Sequence, residues 1–71
     1  MKTYLITRPI GAVLLKDPLT ATTLPPRSRI KVIGPSKRIA GSVEVECEEH
    51  YYAVFQHDLD EFGQAIRSAA E

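Results

Sequence analysis

Between Ser42 and Glu48 apolar and acidic residues alternate strictly: Val43, Val45 and Cys47 fall on one side, Glu44, Glu46 and Glu48 on the other. Period two with β-branched residues predicts a strand buried on one face. Arg29-Ile30-Lys31-Val32-Ile33 alternates in the same way, and Tyr51-Tyr52-Ala53-Val54-Phe55 is a third β-rich run. After Gln56 the period changes. Leu59, Phe62, Ile66 and Ala69 recur at helical spacing, with Asp58 as N-cap and Glu61 three residues on. Gly63 interrupts that helix at a cost of about 1 kcal/mol relative to Ala. The segment also fits a short turn at Asp58–Glu61 followed by a separate last helix. The first third predicts three short strands, Thr3–Thr7, Ala12–Leu15 and Thr20–Leu24, punctuated by Arg8-Pro9, Asp17-Pro18 and Pro25-Pro26.

The three central runs suggest a register. The Gly34–Gly41 link is rich in Gly, Pro and Ser and reads as a hairpin loop. Symmetric pairing about it sets Ile30 opposite Val45 and Val32 opposite Val43. Lys31 then faces Glu44, Arg29 faces Glu46 and Arg27 faces Glu48. A second hairpin turning near Glu49-His50 sets Cys47 opposite Tyr52 and Val45 opposite Val54. Opposite-charge pairs of this kind contribute roughly 0.2–1 kcal/mol each, so they select register more than they add stability.

Charge sharpens this expectation. Eight of nine Lys and Arg lie at or before Arg38, and eight of nine Asp and Glu lie after it, in a chain of zero formal net charge. Such a split means either a basic nucleic-acid-binding half or two halves that neutralise each other across neighbouring strands. The register favours the second reading and leaves Lys37 and Arg38 as unpaired loop cations.

At 71 residues the chain is one domain, 1–71, with ordinary apolar (44%) and charged (25%) fractions for a globular fold. A domain this short buries only roughly 60% of its unfolded surface, so its core is small. Its single Cys47 excludes an internal disulfide, and no Cys/His set has zinc spacing. The apolar run Ile10–Leu15 is too short and interrupted for a signal peptide, and no run has the ~20 apolar residues that span a bilayer. A cytoplasmic protein without cofactors is the expectation.

The order of the Leu24–Ser28 turn, the strands Arg29–Ile33, Ser42–Glu48 and Tyr51–Phe55, and the closing Asp58-Leu59 resembles Src-homology-3-like small barrels. Arg29–Lys37 followed by Gly41-Ser42-Val43 is similar to the Kyrpides–Ouzounis–Woese motif of ribosomal and transcription-elongation proteins, with Arg38 where that motif has glycine. That resemblance implies RNA, ribosome or polymerase contact, for which the loop cations that the register leaves free, Lys37 and Arg38, are the candidate residues. The Thr23-Leu24-Pro25 turn and Tyr52–Leu59 resemble a group of short bacterial proteins that carry no assigned activity, which implies a fold and no chemistry.

Candidate chemistry is sparse. Cys47, His50, His57 and Asp58 have the residue types of a thiol hydrolase or metal site, but the strand pattern puts Cys47 inside and separates the histidines. Ile33, Ala53 and Phe55 fall on the charged face. Either the C-terminal helix or the N-terminal segment covers them, or Ile33, Tyr51 and Phe55 form a partner-binding surface with aromatic anchors. The tyrosines could line a proline-peptide groove, but such grooves need a tryptophan and the chain has none. The expected fold is therefore mainly β: a small antiparallel barrel of four to five strands with a short C-terminal helix. The expected function is a non-catalytic interaction module whose partner is another protein, the chain itself included. The alternative is an RNA- or ribosome-associated accessory protein.

Overall fold

The alternating runs form strands, as the pattern requires. The computed structural model describes residues 2–66. Its elements are β1 (Thr3–Ile6), β2 (Ile10–Leu14), β3 (Thr20–Leu24), β4 (Arg29–Pro35), β5 (Ser42–Cys47), β6 (His50–Phe55), α1 (Gln56–Phe62) and β7 (Gly63–Ile66). Among the described residues one antiparallel sheet holds all seven strands in the order β3-β2-β6-β5-β4-β1-β7.

This corrects the expected four- to five-stranded closed barrel. The sheet has seven strands and stays open, with β3 and β7 as its two edges. It is nonetheless curled. Residues 7–9 alone connect β1 to β2, which lie four strand positions apart. Four flat spacings cover about 19 Å, whereas the Cα atoms of Ile6 and Ile10 can be at most about 14 Å apart through that link. The sheet bends to close the difference, bringing Ile6 and Ile10 into one core.

That core holds Ile6, Ile10, Leu24, Ile30, Val45, Val54 and Leu59, each no more than 3% exposed. The alternation of β5 is realised directly: Val43, Val45 and Cys47 are buried while Glu44 and Glu46 are half-buried. Each large aliphatic side chain contributes roughly 1.5–3 kcal/mol by leaving water.

The faces are as expected, but the pairs differ. Lys31 opposes Glu46, not Glu44, and Val32 opposes Val45, not Val43. In the next hairpin Cys47 opposes His50, not Tyr52, and Val45 opposes Tyr52, not Val54. Both hairpins slip by two positions, which preserves side-chain parity while changing every partner. The second slip has a local cause. The chain reverses at Glu48-Glu49, whose φ angles of 50° and 68° are both left-handed. That is the two-residue hairpin geometry usually supplied by Asn-Gly. In the first hairpin the register shifts again between Val32 and Gly34, so Ile33 is the extra residue of a β-bulge. Arg27 leaves the ladder altogether: its φ is 71°, and its amide donates to the Ile6 carbonyl at 2.7 Å, so it does not face Glu48.

The helix also differs from expectation. It starts at Gln56 after an extended Phe55, without a side-chain cap, so Asp58 lies inside it. It stops at Phe62, and Gly63 begins β7 beside β1. Ile66 therefore belongs to a strand, while Ala69 and Ala70 lie outside the described residues. Only glycine fits this exit from the helix. A Cβ on Gly63 would meet the Leu59 carbonyl oxygen at 2.5 Å and the Leu59 side chain at 3.0 Å. Thr7 holds the helix end, donating to the Phe62 carbonyl from its amide at 2.8 Å and its hydroxyl at 2.9 Å. The Arg8 guanidinium lies over the Phe62 ring at 5.8 Å. No helix among the described residues is long and apolar enough to cross a membrane.

Candidate functional site

The sheet face opposite the core divides into two chemistries. On β4 and β5 it carries Arg29, Lys31, Glu44 and Glu46. Across β3, β2 and β6 it carries a row of small apolar side chains: Ala21 opposes Val13, and Val13 opposes Ala53. Ala53 then opposes Glu44, where the apolar row ends. Gly11 lies two residues before Val13 on β2, and nothing stands within 4 Å of where its Cβ would be. Small residues side by side on a curled sheet leave a concavity.

That concavity is an apolar groove of about 210 Å³. Gly11, Val13, Ala21, Ala53, Phe55 and Ile39 line it, with Ser42 and Thr22 as polar members. Its wall at Ile39 comes from the β4–β5 loop. The Ser36 hydroxyl accepts from the amides of Arg38 at 3.2 Å and Ile39 at 3.3 Å. It donates to Glu44 Oε2 at 3.4 Å. The Ser42 hydroxyl donates to the Ile39 carbonyl at 2.6 Å, and the Gln56 amide donates to the Gly41 carbonyl at 3.1 Å. Gly41 supplies the left-handed turn, with φ of 77°. These bonds fold the loop back and half-bury Ile39 at the groove. The loop's own polar groups take up the Ser42 hydroxyl, and no ionisable side chain lines the groove. The lining offers contact area rather than acid, base or nucleophile.

Of the three residues expected to form a partner surface, Phe55 alone reaches this groove. It is 49% exposed at the rim. Tyr51, 52% exposed, lies further along β6 opposite Glu46. Ile33, 49% exposed, is thrown out by the bulge on β4. The helix covers neither Phe55 nor Ile33, because it turns its Leu59 into the core at the sheet's end. Gly11, Val13, Ala21 and Ile39 were not foreseen. Their common signal is small or apolar residues at outward positions of strands, which becomes readable only once β2 is known to pair with β6.

The charges are not paired as expected. Among the described residues the one contact within ion-pair distance is His57 Nε2 to Glu61 Oε2 at 3.0 Å, on the exposed side of α1, and it carries opposite charges only when the imidazole is protonated. No carboxylate there lies within ion-pair distance of Arg27, Arg29, Lys31, Lys37 or Arg38, and all five are exposed. The Cys47 thiol is buried, and burial first, then the charge of Glu48, push its pKa up, which keeps it protonated. His50 sits beside the turn with Nδ1 3.0 Å from the Glu48 carbonyl, away from His57 on α1. No group of three or more His, Cys, Asp or Glu among the described residues could hold a metal ion.

Neither a protein-family model, nor a curated protein, nor a solved structure matches this chain.

Proposed function

We propose that the chain is a non-catalytic protein-interaction module that seats an apolar side chain of a protein partner in the groove of β2, β3 and β6. One observation carries this reading: a concavity of about 210 Å³ lined by small apolar side chains beside a half-exposed Phe55. Exposed apolar surface of this kind costs solubility unless something covers it. Kinship with Src-homology-3-like barrels is part of the proposal, supported by the curled antiparallel sheet. So is action in a bacterial cytoplasm, for which the lone buried thiol is the support.

Gly11 provides the test. A Cβ on Gly11 meets nothing within 4 Å, so the side chain of Gly11→Leu is expected to project into the groove and occupy it. Peptides selected from a random library on the wild-type protein are expected to bind it, to shift the NMR signals of Val13, Ala21 and Ala53, and to lose binding to Gly11→Leu. Selected peptides that bind Gly11→Leu equally well would remove the groove from the account.

The unpaired cations support a second reading, an RNA- or ribosome-associated accessory protein contacting nucleic acid through Lys37 and Arg38. Phosphate binding needs uncompensated cations on one surface, and Arg29 and Lys31 share a strand face. Titration with a short RNA at low salt separates the readings. Binding that weakens in a Lys37→Ala/Arg38→Ala variant and falls steeply with salt selects RNA.

A further inference from the structure

The loop that walls the groove also carries uncompensated positive charge, and the two features together select an occupant. Ile39 is half-buried against the groove, with its amide donating to the Ser36 hydroxyl and its carbonyl accepting from Ser42. The two residues before it, Lys37 and Arg38, are exposed, and no carboxylate among the described residues lies within ion-pair distance of either. The Cα atoms of Arg38 and Ile39 are one peptide apart, about 3.8 Å, so the loop sets its cations at the rim. An acidic side chain also borders the groove. Glu44 faces Ala53 across β5 and β6, but it is half-buried and accepts from the Ser36 hydroxyl at 3.4 Å. The exposed charge offered at this rim is therefore positive. The far end of β6 has the opposite sign: Tyr51 lies beside the Glu48-Glu49 turn, whose two glutamates are exposed and within ion-pair distance of no cation among the described residues.

We infer that the segment seated here is acidic as well as apolar: a peptide stretch of a protein partner whose apolar side chain enters the groove while a neighbouring Asp or Glu meets Lys37 and Arg38. This deepens the groove reading and rests on it. Charge also sets direction. Tyr51 to Phe55 spans about 14 Å along the strand, more than the ~8 Å over which physiological salt screens exposed charges. The two ends are therefore sensed separately, and the partner's carboxylates run toward the Phe55 end. Nucleic acid would use the cations and leave the apolar lining without a role, so the groove favours a peptide. Rim charges of this kind act on partner choice and association rate more than on affinity.

The experiment selects a displayed random peptide library on the intact wild-type chain and, in parallel, on Lys37→Glu/Arg38→Glu, two exposed loop positions. Wild-type selections are expected to share an apolar residue with Asp or Glu beside it. The charge-reversed chain is expected to select Lys or Arg in their place. One selected peptide is then titrated into the wild-type chain with its acids and with Asn or Gln instead. The acidic form is expected to bind about three- to tenfold more tightly at about 0.01 M salt, as two exposed pairs allow, with the gap closing near 1 M salt. Lys37→Ala/Arg38→Ala is expected to remove the gap. Glu44→Gln, which keeps an acceptor for Ser36, is expected to widen it. The comparison of two peptides on the wild-type chain stands even if a variant fails to fold. Peptides that bind the wild-type chain, fail on Gly11→Leu and show no acidic preference overturn this inference and leave the groove reading in place. Peptides that bind Gly11→Leu unchanged overturn both. A short RNA that binds through Lys37 and Arg38 while acidic and neutral peptides bind alike assigns the cations to nucleic acid and overturns the inference.

Discussion

The two ends of the sheet are built on opposite plans. At the β7 end the chain finishes itself. Helix α1 turns Leu59 into the core, Thr7 takes up the last helix carbonyl, and Gly63 lets the backbone pass close to Leu59 on its way into β7. At the β3 end nothing from within the described chain covers the strand. Its side chains are small and uncharged, and the apolar groove begins on its outward face. The difference teaches where a small domain with no disulfide and a modest core places its stability and where it leaves surface for others. Substitutions should therefore cost much folding stability at the β7 end and little at the β3 end.

The largest effect on folding is expected at the finished end. Leu59→Ala should cost about 2–5 kcal/mol in urea unfolding, because the helix loses its anchor and leaves a cavity. A loss below about 0.5 kcal/mol, typical of surface substitutions, would mean that α1 contributes little to the fold. Gly63→Ala should cost about 1–3 kcal/mol through the clash with the Leu59 carbonyl, even though alanine is the better helix former. A stabilised Gly63→Ala would show that the helix runs on through this position.

Between the ends, the Glu48-Glu49 turn offers a reference. Replacing it by Asn-Gly should stabilise the protein by about 1 kcal/mol, since both positions hold left-handed φ angles unsuited to glutamate. An unchanged or lower melting temperature would contradict the two-residue turn. Cys47 on the central strand β5 gives a pH signature. Its pKa is raised in the folded state, so the thiol's contribution is complete below the unfolded value of about 8.5 and declines as pH rises through the higher folded value. Stability should fall in that alkaline window, and the fall should be smaller in Cys47→Ala. The smallest folding effect belongs to the open end. Thr22→Lys should shift stability by no more than about 0.5 kcal/mol in dilute solution.

The sequence revealed faces more clearly than partners. Val43, Val45 and Cys47 are inside because alternation is a local property of the strand. Which residue faces Lys31 depends on turns, and neither turn announced itself. Glu48-Glu49 is not a residue pair that signals tight reversal, and a bulge at Ile33 has no mark beyond one surplus apolar residue. The helix period over Leu59, Phe62 and Ile66 is real, but Gly63 turns extended and pairs with β1, and pairing between distant segments is invisible before folding. The groove was half legible. Phe55 was singled out by parity on β6, whereas Gly11, Val13 and Ala21 join it through pairing between distant segments. The expected charge neutralisation is met in part. The two-position slip sets Lys31 opposite Glu46 in place of Glu44, so opposite charges still neighbour each other across β4 and β5, while Arg27 leaves the ladder and the exposed cations come within ion-pair distance of no carboxylate among the described residues.

Amide hydrogen exchange read residue by residue tests the contrast between the two edges most directly. The account predicts that amides of Gly63–Ile66 turned toward β1 are protected more strongly than amides of Thr20–Leu24 turned toward β2. Equal protection at the two edges, or stronger protection along β3, would contradict it.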